Sequence, residues 1–246
     1  MQRMNPSKGR AMKLDCLFIS AHRDDTEITC GGLVIKLVDQ GCKVGLLDLT
    51  RGEMGTRGTA ATREREAKAA VKIMGIAVRD NVGLPDSGVE FTRANALKIA
   101  RYIRKYRPHA VVIPYWEQRH PDHRNCSLLV WDACFYSGLK KMDLPGEAWR
   151  PFKIIYAASF QETKPSFIVD ITDQLERKLK AVEAYKTQFF DEQGRKMWLR
   201  GFDIFEYMRI RARQYGVMIG KQYGEAYFLK ETMEVVDVMK MSVKSI

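Results

Sequence analysis

The sequence predicts an α/β protein: a Rossmann-like, three-layer α/β/α domain with a mostly parallel sheet and a C-terminal α/β elaboration. Through the first two thirds, short apolar runs alternate with longer segments whose apolar residues recur three and four positions apart. Turn residues fall at the joins between them. In order, the pattern gives a strand at 14–20, a helix at 27–40 stopped by Gly41, a strand at 43–49 and a helix at 62–74 stopped by Gly75. A weaker strand at 81–84, a helix at 92–106 closed by Pro108, a strand at 110–114 and a helix at 125–139 complete this part. Such alternation implies right-handed βαβ units and a sheet covered on both faces. The last third is less regular, with strands at 153–159 and 166–171, helices at 174–189 and 202–215, and a short strand at 226–229. No repeat or Pro/Gly/Ser linker divides the chain, so residues 13–246 are read as one domain and residues 1–12 as a disordered extension.

Composition narrows the function. No apolar run among the 246 residues approaches the roughly 18 to 20 needed to span a bilayer, and the basic start, leading straight into a strand-like segment, is not expected to be a signal peptide. Five cysteines without a C-x-x-C pair suit packing roles in a reducing cytoplasm. The net charge of +11 is spread along the chain, and the one dense basic stretch, 101–107, keeps an apolar stripe of Ile99, Tyr102, Ile103 and Tyr106. Those charges are read as the solvated face of a helix, so neither nucleic acid nor membrane is expected as a partner. A positive field that gathers a small anionic substrate fits better.

Chemistry concentrates in two short motifs. Ala21-His22-Arg23-Asp24-Asp25-Thr26-Glu27 follows the first strand, and His120-Pro121-Asp122-His123 follows the strand at 110–114. Ligands of open α/β sheets sit beyond the carboxyl ends of the strands, where strand order reverses. If these two strands are neighbours, the motifs converge. His22, Asp25 and His123 then supply the imidazole and carboxylate set of a zinc-type catalytic site, with Asp24 and His120 left as acid and base. Asp122 would hold the ring of His120 or of a ligand. The plainer reading of Asp24 or Asp25 is a helix cap. Against it, three of only four histidines fall in these motifs. After the second strand, the glycine-rich segment 50–59, with Glu53, Arg57 and the nearby Arg63, is read as a mobile loop that grips substrate.

These residues resemble a family. AHRDDTE at 21–27, GEMGTRGTAATRERE at 52–66, LPDSG at 84–88 and PYWEQRHPDH at 114–123 are similar to the LmbE/PIG-L-like metal-dependent deacetylases, whose signatures are AHPDDxE and HPDH. FIVDIT at 167–172, AYKTQF at 184–189 and YGEAYF at 223–228 extend the likeness and resemble the branch acting on N-acetylglucosaminyl-malate in bacillithiol biosynthesis. The resemblance implies His22, Asp25 and His123 as ligands of Zn2+, or of another divalent ion such as Fe2+. It implies Asp24 as general base, His120 beside Asp122 as stabiliser of the oxyanion, and Arg63 as a substrate contact. It also implies a small N-acetyl amino sugar as substrate and a homo-oligomer, a hexamer. Either Asp24 or His120 can protonate the leaving amine. Arg23 stands where the family has proline, which removes a rigid ring and adds a cation near Asp24. Diacetylchitobiose, a lipid-linked glucosamine, or a noncatalytic nucleotide-binding role are the competing expectations.

Overall fold

A computed structural model describes residues 12–158, 164–196 and 201–243. The expected extension at 1–12 lies, except for Met12, outside the described residues, as does Ser159 at the end of the strand expected over 153–159. Seven strands form one sheet: β1 Cys16–Ser20, β2 Val44–Asp48, β3 Val78–Asn81, β4 Ala110–Pro114, β5 Lys153–Ala157, β6 Phe167–Asp170 and β7 Gly224–Phe228, in the order β3-β2-β1-β4-β5-β7-β6. The first five pair in parallel, and β7 runs antiparallel between β5 and β6.

The alternation of side chains along each strand divides the interior in two. On β1, Cys16 and Phe18 join one core, beneath α1 (Asp25–Asp39), α2 (Ala60–Met74), α5 (Leu175–Glu183) and α8 (Ile204–Met218). Leu17 and Ile19 join the other, beneath α3 (Arg93–Tyr106) and α4 (Pro121–Ser137). Both faces being covered, the β1, β2 and β4 sequences read as continuous apolar runs. β1 lies between β2 and β4, so the chain leaves the sheet in opposite directions on either side of it. That opens the crevice into which both motifs project.

Departures from the sequence pattern have physical causes. The third strand begins at Val78, three residues before the weak apolar signal at 81–84, because it carries Arg79 into a buried ion-pair network. α4 starts at Pro121, where proline fits the first helical position, so Asp122 and His123 sit on its first turn. The helix expected over 174–189 breaks at Tyr185, whose φ and ψ of −82° and 65° let its hydroxyl reach inward, and a separate α6 (Lys186–Phe189) follows. The short α7 (Glu192–Lys196) has no counterpart in the sequence pattern.

α1 is itself two helices joined across a kink at Cys30 (φ −138°, ψ 20°). The N–H groups exposed by the kink are taken up by Glu225 of β7, which accepts from Gly32 at 2.9 Å and Leu33 at 2.8 Å. Lys178 neutralises the buried carboxylate at 2.7 Å. A Cβ at Gly32 would stand 2.8 Å from the carboxylate oxygen, so glycine is required there. The five cysteines are free, and among the described residues no helix is long and apolar enough to cross a membrane.

Candidate metal centre

His22, Asp24 and Asp25 lie where β1 passes into α1, and His120, Asp122 and His123 where the chain enters α4. β1 and β4 are hydrogen-bonded neighbours, so the two motifs meet. Asp24 occupies the N-cap position of α1 yet makes no side-chain capping bond. Asp25 is fixed by the backbone N–H of His22 at 2.8 Å.

Hydrogen bonding assigns the ring nitrogens. His22 Nε2 faces Asp86 Oδ1 at 3.0 Å and Asp122 Oδ2 at 3.3 Å, so it carries a proton, and Nδ1 is the nitrogen that a metal ion would take on displacing the proton there. His22 Nδ1 then lies 3.4 Å from Asp25 Oδ2 and 3.1 Å from His123 Nε2, which is 3.2 Å from Asp25 Oδ1. A tetrahedral ion with bonds of about 2.0 to 2.1 Å separates its ligand atoms by about 3.3 Å, so the triangle has the dimensions of a zinc-type site. A second group, His22, His120 and Asp122, also keeps its ligand atoms within 4.8 Å of one another. Its atoms are already engaged: His120 Nδ1 accepts the Asp122 backbone N–H at 3.2 Å, and Asp122 holds His22.

The charges around the triangle call for a cation. Burial opposes a charge on His22, but Asp25, Asp122 and Asp86 outweigh it and hold its pKa well above the ordinary value. Burial likewise pushes the Asp25 pKa up, and His123 and His22 draw it well below the carboxylate range. Burial and the neighbouring His123 and His22 draw the His120 pKa below the ordinary imidazole value. With Nδ1 accepting from the backbone, its Nε2–H is the available donor.

Asp24 pairs with Arg63 at 2.9 Å. Arg63, expected to grip substrate, is buried, and its guanidinium pairs with Asp24 while it lines the cavity over the site. The glycine-rich segment lies over it, and a Cβ at Gly52 (φ +71°) or Gly55 would come within 2.8 Å of the guanidinium. The segment is anchored on both sides. Glu53 accepts from the Asp86 N–H at 2.9 Å, Met54 N–H donates to Asp86 at 2.8 Å, and Arg57 pairs with Asp191. Glu53 and Arg57, expected as substrate contacts, hold the segment itself and are not among the residues lining the cavity over the site. That cavity, about 480 Å³, has His22, Asp24, Asp25, His120 and His123 on its walls, with Met54 and Phe189 among its apolar lining.

Asp86 is the site residue that sequence reasoning missed. An aspartate in Pro-Asp-Ser-Gly reads as a turn former. Ser87 beside it adopts φ +60° and donates its N–H to Asp122 at 2.8 Å, so the turn orients both carboxylates that hold His22. Arg23 is buried, and its side chain approaches Glu64 only at 3.9 Å. The cation beside Asp24 is therefore Arg63. In place of proline's rigidity, the Arg23 carbonyl accepts bonds from Tyr185 and Arg79.

The model of the family described as GlcNAc-PI de-N-acetylase (PIG-L) matches residues 17–134. The chain is 34% identical over 223 residues to the diacetylchitobiose deacetylase of Thermococcus kodakarensis, covering 85% of this chain and 80% of that protein. A probable N-acetyl-alpha-D-glucosaminyl L-malate deacetylase 2 of Bacillus anthracis is 25% identical over 70% of this chain and 80% of its own length. The crystal structure of a conserved protein from Thermus thermophilus, TT1542, superposes with a TM-score of 0.83 at 34% identity, covering 92% of this chain and 98% of that one. The segment matched by the family model begins in β1 and ends within α4, spanning both motifs, and with relatives similar over most of their length it places this chain in the PIG-L family of de-N-acetylases.

Proposed function

We propose that the protein removes the N-acetyl group from an N-acetylglucosamine unit of a short glycan of the diacetylchitobiose type. A divalent ion, Zn2+ or Fe2+, would be held by His22 Nδ1, Asp25 and His123 Nε2. The observation that carries this reading is the ligand triangle, flanked by Asp24 and His120, on the wall of a cavity large enough for a sugar. When bound, such an ion polarises an acyl carbonyl and acidifies water.

The chain's own groups complete the chemistry. Asp24 accepts the proton of the attacking water, and Arg63 pins its carboxylate in place. His120 Nε2–H donates to the carbonyl oxygen as negative charge develops there. The new C–O bond forms, the C–N bond breaks, and the amine leaves with a proton from Asp24 or His120, giving acetate and a free amine.

The preference for a malate conjugate, expected from the sequence, loses support. Arg63 is engaged by Asp24, Glu53 and Arg57 lie outside the cavity, and the malate-type relative is the more distant of the two. Acetate release by metal-replete protein from diacetylchitobiose, N-acetylglucosamine and N-acetylglucosaminyl-malate tests the reading. The highest kcat/KM is expected for diacetylchitobiose. Preference for the malate conjugate would reinstate the anionic aglycone, and no release from any of them would refute amide hydrolysis. We also propose a homo-oligomer, supported by the exposed Trp131 and Phe135 on α4 and Val236 and Met239 near the C-terminus. Sedimentation of the purified chain checks this.

A further inference from the structure

We propose that a second, smaller cavity behind Asp25 and His123 is an acyl pocket that limits the enzyme to short N-acyl groups, from acetyl to butyryl; the proposal rests on the deacetylase reading. This cavity lies between α1 and the C-terminal ends of β1, β4 and β5, and it adjoins the large cavity at Asp25, Ile28, Gln118 and His123. Its walls include Cys30, Val112 and Ala157, all buried, and the hydroxyls of Ser20, Thr26 and Thr29, which also line it, are hydrogen-bonded to protein groups. The kink of α1 at Cys30 borders it.

Stereochemistry assigns the chamber. At the tetrahedral stage the attacked carbon carries the incoming oxygen, the former carbonyl oxygen, the amine nitrogen and the acyl carbon. Asp24 receives the proton of the first and His120 faces the second, and both line only the large cavity, which also holds the sugar bearing the nitrogen. The acyl carbon is the substituent without a place, and the small chamber opens beside the same two ligands. Gln118 stands at the junction with its side-chain nitrogen buried and without a hydrogen-bond partner, a donor suited to an acyl oxygen. The volume of about 40 Å³ holds about three water-sized groups. That is the space of a methyl to a propyl chain.

The test uses metal-replete protein and glucosamine bearing N-acetyl, N-propionyl, N-butyryl or N-hexanoyl groups. For the wild type, kcat/KM should stay within about tenfold from acetyl to butyryl. It should fall about 100-fold or more for hexanoyl, because a pocket of fixed size discriminates by roughly 10 to 200-fold per misfitting methylene. Ile28→Ala, which removes part of the wall, should restore hexanoyl turnover at least about tenfold. Ala157→Val should lower butyryl turnover about tenfold or more and leave acetyl within about threefold. NMR competition among acetate, propionate, butyrate and hexanoate reports the same pocket without catalysis, and its cut-off should shift with the two variants. Hexanoyl turnover equal to acetyl, or a cut-off unmoved in both variants at wild-type metal content, overturns the proposal. If no amide is hydrolysed while the carboxylate profile is as expected, the pocket stands and the deacetylase reading falls.

Discussion

Two clusters of carboxylates, one buried and one partly exposed, lie near the ends of β1 and β2, and they are neutralised differently. Behind the site, Asp48 and Glu27 face Arg79, which bonds Asp48 through Nε at 2.8 Å and Nη2 at 2.9 Å and Glu27 through Nη1 at 2.6 Å. At the site, Asp25, Asp86 and Asp122 surround His22, with His123 against Asp25. Burial raises the Asp48 and Glu27 pKa values despite Arg79. In the other cluster burial acts in the same direction, yet the imidazoles pull Asp25, Asp86 and Asp122 below the ordinary range. The difference separates scaffold from chemistry. A guanidinium cannot give up its charge, so the Arg79 cluster is permanent structure. Imidazole can lose its proton, so a divalent ion can take over the role of positive charge in the other.

The strongest way to break the comparison is Arg79→Met, which leaves Asp48 and Glu27 buried without their cation. Losing one partner of a buried pair costs about 3 to 5 kcal/mol. At about 2 to 4 °C per kcal/mol for a chain of this size, the thermal midpoint should fall by roughly 6 to 20 °C. A midpoint within a couple of degrees of wild type would show that this cluster is not the scaffold.

Asp24→Asn tests the chemical side. The amide can still accept a bond from Arg63, so metal content should hold, while turnover drops by about 10² to 10⁴-fold for want of a base. Near wild-type turnover at full metal occupancy would remove Asp24 from the mechanism.

Asp86→Asn sharpens the contrast at smaller cost. Weakening a carboxylate that orients a metal-binding imidazole typically lowers metal affinity by about 10 to 100-fold. Competition with a chromogenic chelator reads this directly, and the thermal midpoint of the metal-free protein should hardly move. A large loss of stability without any change in affinity would class Asp86 with the scaffold.

The smallest effect is expected for Tyr185→Phe. It removes one hydroxyl from the network, and Arg79 still donates to the Arg23 carbonyl. The cost should be about 1 kcal/mol, read by denaturant unfolding. A loss of metal affinity comparable with that of Asp86→Asn would mean that the loop carrying His22 depends on this hydroxyl for its geometry.

The parallel half of the sheet and the ligand-bearing motifs were legible in the sequence because each has a local signature. Strands buried on both faces are apolar throughout, helices repeat every three to four residues, and imidazoles near carboxylates at strand ends are rare enough to stand out in a chain with four histidines. The third strand hid itself, since Arg79, Asp80 and Asn81 are polar, and only the buried partners of Arg79 make that composition intelligible. Asp86 hid in a turn for the same reason.

What the sequence by itself determined is the kind of chemistry: ligand types, their spacing, and the strand ends that carry them. Tertiary structure alone decided the roles of the remaining charges. Arg63 pairs with Asp24 on the wall of the cavity, Glu225 crosses from the last strand to cap a helix kink formed early in the chain, and Tyr185 breaks its helix to hold the Arg23 carbonyl. A charged or hydroxyl side chain is the same in sequence whether it faces water or a buried partner, and its function follows from which groups the packed chain brings within hydrogen-bonding distance.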